Sequence, residues 1–505
     1  MPRSRGMDAR GVSLVEMRYV GESPRNAGPR RRTLRLIERL TIFHVVVFAI
    51  ATTWAFGGQA DWVRGPLVAW GCGGFLLFLA AALHRSAGRV RWDPMYMCVA
   101  PLALFNIIVL AATFNPSMRE IRIGGEPMLA IFGGFPWLPS SARPALARAA
   151  LLEFDAIWIS SFNVAFILQS RRAIRIVLGA SVLNALVLSI FGTAQKLSGA
   201  AGLYFGRVPS PQQYFFSSFV YHNHWGAFAI LMTAAGLGLT HFFARRFESR
   251  NVLHSPALLG AVVLLIIAAT IPLSASRSST ALLAAMLLIA FGHWVRREIE
   301  KRRHFNESVA APVSVALVAL CMACLGIWYV ASDTIRSRAS LTIQQVHDAE
   351  TNQQPNQRLM LYKDTWRMAE DKLWFGWGMA SYPHVFTTYN TRVSSDRLPV
   401  FYHDAHSDWL QSLAEHGVVG TACLIALAVL PLVLAVRRRR LSPLAGYTLL
   451  GCALIVVYGA LEFPFGNFAV VLTWWVCYFC AVQYLRLGDS SPLKRMESCE
   501  VPSHA

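Results

Sequence analysis

Hydrophobic positions in this chain neither alternate nor mark a single helical face. They merge into long, nearly unbroken runs. About 20 apolar residues span the roughly 30 Å hydrocarbon core of a bilayer as one helix. About twelve runs of that length lie near 39–57, 65–84, 95–114, 149–169, 173–193, 223–243, 255–273, 280–295, 308–331, 418–436, 443–461 and 466–485. Two are weaker: 149–169 carries Glu153 and Asp155 toward one end, and 280–295 is short. The pattern predicts an all-α polytopic membrane protein of about twelve transmembrane helices. It divides the chain into a basic tail at 1–33, helices one to nine over 34–331, a large partly helical loop at 332–417, helices ten to twelve over 418–486 and a second tail at 487–505. The first tail has no apolar core, so it reads as disordered cytoplasmic chain and not as a cleavable signal peptide.

Composition agrees with lipid as the main solvent: 55% of the 505 residues are hydrophobic and 15% charged, against about 25% charged in soluble proteins. The net charge of +19 does not point to nucleic acid, because the basic residues sit between apolar runs instead of gathering on one soluble face. They act as topology signals and contacts for anionic lipid. With the first tail inside, 31 of the 47 Lys and Arg residues fall on the inner side. RVR, SRRAIR, ARRFESR, RREIEKRR and RRRR all land there, which predicts an inner membrane protein with both termini cytoplasmic. Eight of the nine cysteines lie in apolar runs and Cys499 in the tail, so no disulfide framework is implied. The C-x-x-C pairs Cys321/Cys324 and Cys477/Cys480 read as small packing residues rather than redox or zinc motifs. A twelve-helix transporter would divide around a central inner loop with internal repeats and place ionisable groups at mid-span. Here the long loop is external, no repeat is visible, and most charges lie at span ends.

Three outer segments carry more polar and aromatic residues than topology requires. The first, GRVPSPQQYFFSSFVYHNHWGAFAILM, holds Arg207, His222, Asn223 and His224. The second, PLSASRSST, is a short connection that leaves Arg277 near the membrane surface. An arginine there either snorkels or clamps an anion, since its planar donor fork matches phosphate oxygens. The third is the long loop, which ends FYHDAHSDWLQSLAEHGVVGTA. Within it Leu359, Tyr362, Trp366, Ala369 and Leu373 recur at helical offsets, predicting a surface helix whose apolar stripe packs on the membrane domain or lies at its interface. GWGMASYPH follows as a turn. His403 and His406 beside Asp404 and Asp408 offer some metal-ligand types, but neither histidine cluster is a recognised zinc signature, and no metal or cofactor is expected.

DAHSDWLQSLAEHGVVG resembles the histidine signature of O-antigen ligases and related protein oligosaccharyltransferases: His, then Asn, Ser or Gln, nine residues, Gly, two residues, and Gly, Thr or Tyr. Here it reads His406, Ser407, nine residues to His416, Gly417, Val418, Val419 and Gly420. FVYHNHWGAFAIL resembles the family's Asn-His-Phe-Ala-Gly helix start, with Trp225 and Gly226 where Phe and Ala are usual. SASRSSTALLAAMLL resembles its Ser-Arg-Gly/Ser helix start, which places Arg277 on the family's phosphate-binding arginine. The family's second arginine falls on Arg207, and NQRLMLYKDTWRMAEDKLWFGWGMASY, with Arg358, resembles its arginine, helix and Gly-x-Gly turn. These motifs occur in the family's order over roughly 200–435.

The resemblance implies a GT-C-like membrane glycosyltransferase acting at the periplasmic face. Its donor is a glycan on an undecaprenyl-type diphosphate and its acceptor a glycolipid, such as lipid A core, or a growing polysaccharide. Departure of the diphosphate develops negative charge, which Arg277, with Arg207 and Arg358, would offset. His406 would be the general base, oriented by Asp404 or Asp408, with His222, Asn223 and His224 lining the substrate site. Ligase, polymerase of repeat units and protein O-glycosyltransferase share this donor chemistry, so lipopolysaccharide or exopolysaccharide synthesis and protein glycosylation all remain open. A polysaccharide or lipid transporter is the alternative from another class.

Overall fold

The computed structural model describes residues 29–86, 93–305 (apart from 125, 133, 136, 213 and 247–255), 357–392, 401–436 and 441–488, with isolated residues between 308 and 332. Most of both expected tails and of the expected ninth span, 308–331, lies outside the described residues; the end of the first tail, 29–33, is helical instead of disordered.

Among the described residues the expected spans recur as eleven helices, ten of them long and apolar enough to cross a membrane. In chain order they are α1 (Pro29–Trp54), α2 (Asp61–Ser86), α3 (Val99–Thr113), α4 (Pro144–Ile167), α5 (Arg171–Leu197), α6 (His222–Arg246), α7 (Pro256–Leu273) and α8 (Arg277–Phe305). After the loop helix α9 (Gln357–Glu370) come α10 (Asp408–Val436), the shorter apolar α11 (Pro443–Tyr458) and α12 (Phe468–Arg486). Both weak runs are full helices. Asp155 is accommodated in α4 because Asn106 of α3 donates to its carboxylate at 3.0 Å. α8 is longer than its apolar run because its second half carries ion pairs such as Arg302–Glu298 at 2.6 Å beyond the apolar stretch.

α12 forms the centre of the bundle, with 94% of its most apolar window buried. Trp158 and Phe162 of α4 stack at 4.7 Å, and both meet Phe479 of α12 edge to face. Lipid supplies no hydrophobic drive between helices, so close backbone approach and buried hydrogen bonds hold them together. Ser160 of α4 donates to Gly71 O of α2 at 2.9 Å and bonds His44 of α1 at 3.0 Å. A Cβ on Gly226 of α6 would sit 2.3 Å from the Ser279 hydroxyl of α8, so only glycine permits that contact.

Alternating helix directions put the connections before α2, α4, α6, α8 and α12, together with α9, at one end of the bundle. The all-α expectation needs one correction there. A hairpin, β1 (Met118–Ile123) with β2 (Glu126–Ile131), pairs Ile123 with Glu126 across residues 124 and 125. A Gly-Gly pair between short apolar-polar alternations favours that turn, and Gly124 has φ +61.

The described part of the long loop shares a core with β1, formed by Met118 of the strand and Leu361, Met368, Trp377, Tyr382 and Phe386 of the loop. α9 overlaps the predicted helix, but of the predicted stripe only Ala369 is fully buried. Leu361, Asp364, Thr365, Met368 and Ala369 face inward, while Leu359 is 62% and Trp366 44% exposed. Polar residues mask the true face: Asp364 accepts from Thr391 N at 3.0 Å, and Thr365 bonds Tyr382 OH at 2.8 Å. α10 also starts at Asp408, before the expected boundary at 418. That boundary marks an internal break at Gly417.

Candidate functional site

The histidine signature folds into two devices. At its start, His406 has φ +51, a left-handed conformation that costs roughly 1–3 kcal/mol in a non-glycine residue. Two neighbours hold it: Tyr362 OH of α9 donates to His406 O at 2.9 Å, and Ser407 Oγ caps α10 by accepting from Leu410 N at 3.4 Å. At its end, Gly417 (φ +63) lies where the backbone of 414–419 crosses that of 373–378. Trp377 N and Gly378 N donate to Ala414 O and Glu415 O, and Val418 N and Val419 N donate back to Leu373 O and Trp374 O, all at 2.8–3.1 Å. A Cβ on Gly417 would lie 2.4 Å from the Trp374 backbone, and one on Gly376 2.4 Å from that of Glu415. The motif glycines therefore let two backbones touch. Gly420 does the same on a smaller scale, facing His416 Cβ, whose ring packs on Phe105 at 5.3 Å.

The carboxylate beside His406 was not anticipated. Glu462, in the turn between α11 and α12, places Oε2 3.6 Å from His406 Nδ1 and accepts from Arg358 Nη2 at 2.5 Å through Oε1. Its side chain is only 3% exposed, against 48% for Arg358. At 3.6 Å the His406–Glu462 pair is just beyond hydrogen-bond length, and neither atom has another partner among the described residues. Burial alone would push the Glu462 carboxyl up. His406 and the Arg358 guanidinium outweigh it and hold the group below its ordinary value. Arg358 also donates to Leu461 O at 3.2 Å.

Asp408 does not reach the imidazole. Its Oδ2 accepts from Phe465 N at 3.0 Å, and its own N–H donates to Gly459 O at 2.8 Å, pinning the start of α10 to the turn that carries Glu462. Asp404 is closer in charge than in contact. Burial raises its carboxyl, and His406 and His403 only partly offset that. His403 is exposed and packs on Phe401 at 4.8 Å, apart from His406.

Phe463 gathers the remaining expected residues. Its ring meets His406 at 4.8 Å and His224 at 5.1 Å, both edge to face, and stacks on Tyr221 at 5.3 Å. His224 Nε2 lies 3.2 Å from Phe463 O. Asn223 donates to Tyr221 OH at 2.8 Å and accepts from Ser276 Oγ at 2.7 Å, so the residue before Arg277 is tied into the same cluster. Arg277 itself is exposed at the start of α8, behind Ala275 with φ +68. His222 packs on Tyr214 and Tyr221 at the rim. Arg207 is the exception: it is exposed on the short turn that follows α5, and no described contact joins it to His406. Among the described residues no three His, Cys, Asp or Glu side chains converge as a metal site.

One set of residues from five stretches of chain thus meets at one end of the bundle, and three of those stretches, carrying Arg277, Arg358 and His406, fall within a single match. Residues 260–425 match the family model described as O-Antigen ligase. The chain carries an O-antigen ligase domain. The match covers about a third of a polytopic membrane protein. No curated protein matches the chain. The matched O-antigen ligase segment runs from α7 into α10, while Asn223 and Glu462 lie on either side of it. Glu462 had a signal of its own in the sequence: it is the only acidic residue between Glu415 and Asp489, set in a short gap between two apolar runs. That is the reasoning that singled out Arg277, applied to an anion.

Proposed function

We propose that the protein moves a glycan from a polyprenyl diphosphate carrier to an acceptor hydroxyl at the periplasmic face, with His406 as general base. The observation that carries the reading is the buried Glu462 carboxylate set between His406 and a half-exposed Arg358, in a cluster to which Asn223 ties Ser276, the residue before Arg277.

The chemistry follows from which atoms remain accessible. Nδ1 of His406 faces Glu462, so a proton there has an acceptor and the lone pair on Nε2 is left for the incoming hydroxyl. The acceptor oxygen bonds to the anomeric carbon as its proton passes to Nε2. The bond from that carbon to the diphosphate oxygen breaks, and polyprenyl diphosphate leaves with the electron pair. Arg277 and Arg358 face the growing negative charge, and fixed guanidinium donors act strongly on a charge that appears only in the transition state. Arg207, standing apart, suits a later contact with the donor or the acceptor glycan better than the reacting centre. The acceptor is a glycolipid or a growing polysaccharide, and the loop from 332 to 417 would select it.

The test is turnover of the purified protein with a defined polyprenyl-diphosphate oligosaccharide, with and without chelator, followed by product analysis. Arg277→Lys keeps the charge but not the planar fork, and is expected to lose about 10- to 100-fold in kcat/KM. Release of free glycan without transfer, or full activity of that variant, would overturn the assignment. Chain extension, transfer to glycolipid and transfer to protein are separated by the mass of the product.

A further inference from the structure

Tyr221 immediately precedes α6, and its ring stacks on Phe463 at 5.3 Å, the same ring that meets His406 at 4.8 Å. The polar side chains that follow it are engaged inside the protein. Asn223 and His224 are buried. Asn223 places its amide nitrogen on Tyr221 and its oxygen on Ser276, and His224 turns Nε2 to the Phe463 carbonyl. Tyr221 is half-buried, and its hydroxyl accepts from Asn223 Nδ2 at 2.8 Å. A phenol that accepts one hydrogen bond still has its own proton to donate. Among the described residues no acceptor lies within hydrogen-bond reach of that proton. Burial first, and then the negative charge of Glu462, push the phenol above its ordinary value, so it keeps the proton at any pH where an imidazole acts as a base. The donor is also held in place. Phe463 fixes the ring, and Asn223 joins the hydroxyl to Ser276 Oγ, at 2.8 and 2.7 Å, on the turn that carries Arg277.

We infer that Tyr221 is a further catalytic residue, whose phenolic O–H donates to the oxygen of the diphosphate that leaves the glycan. The inference rests on the glycan transfer proposed above. No proton changes hands at this residue: the bond from the anomeric carbon to the diphosphate oxygen breaks, the electron pair stays on that oxygen, and the phenol remains protonated. Its hydrogen bond strengthens as the charge develops, which is when a prepositioned donor lowers the barrier. Asn223, which is buried, acts on the reaction only by orienting the phenol and the Ser276 turn.

The experiment compares the whole purified protein with Tyr221→Phe, which removes the hydroxyl and keeps the ring on Phe463. The variant is expected to lose about 10²-fold in kcat, with little change in KM for the donor or in Tm. Binding of polyprenyl diphosphate and polyprenyl monophosphate is measured alongside, because the monophosphate lacks the phosphate that bears the leaving oxygen. Y221F is expected to bind the diphosphate about tenfold more weakly and the monophosphate like the parent. Damage to the fold would weaken both, so equal losses for the two lipids would overturn the role of Tyr221. Parent kcat and parent diphosphate affinity in Y221F would overturn it as well. A parent that binds the diphosphate but transfers no glycan would instead contradict the transfer reading itself.

Discussion

Glu462 shows how much rests on one side chain. An orienting carboxylate beside a metal-bound histidine is typically worth about 10- to 100-fold, and Glu462→Gln is expected to lower kcat on that scale while leaving KM for the donor nearly unchanged. The pair with Arg358 also has a stability effect that depends on pH. The folded carboxyl is held below its ordinary value, so the contribution of the Arg358 pair is complete above the ordinary carboxylate range and is lost as pH falls through the folded value. Chemical denaturation across pH 3–7 (roughly the carboxylate range) checks it, and E462Q is expected to flatten the curve. Arg277 stood out as a charge between two apolar runs, and His406 and Arg358 through the motifs around them. Glu462 also stands out, as a lone carboxylate between two apolar runs, but its pairing was not legible, because its partners lie 56 and 104 residues away in sequence.

Among the elements, the crossing of 373–378 with 414–419 explains why glycines sit in the histidine signature. The spacing of His406 and Gly417 is readable from sequence, but the crossing is not, because its hydrogen bonds join segments about 40 residues apart. Gly417→Ala and Gly376→Ala are each expected to destabilise the loop by about 1–3 kcal/mol from backbone strain alone. Because both disrupt the same contact, the double variant is expected to lose less than the sum. Thermal unfolding of the four proteins closes the cycle, and strict additivity would show that the two glycines act independently. The same scale explains why the range of α9 was legible and its face was not. A buried Asp364 and Thr365 replace the apolar residues that periodicity looks for.

For the whole molecule, run length alone located eleven described helices, since a bilayer fixes helix length more tightly than any packing rule. Sidedness came from the arginine and lysine bias, and cysteine labelling tests it. In a variant retaining only Cys499, an impermeant maleimide is expected to label open membranes but not intact cells with a permeabilised outer membrane. Thr391→Cys in the cysteine-free protein is expected to label in both. Labelling of Cys499 from outside would invert the orientation and move the His406 cluster to the cytoplasm.

The most direct test of the account compares two histidines three residues apart in single-turnover transfer from a polyprenyl-diphosphate glycan. His406→Ala is expected to slow the chemical step by about 10²–10⁴-fold while folding and inserting normally. His403→Ala, at an exposed histidine packed on Phe401, is expected to keep the parent rate. Transfer at the parent rate by a folded H406A, or equal losses in both variants, would contradict the assignment of His406 as the base.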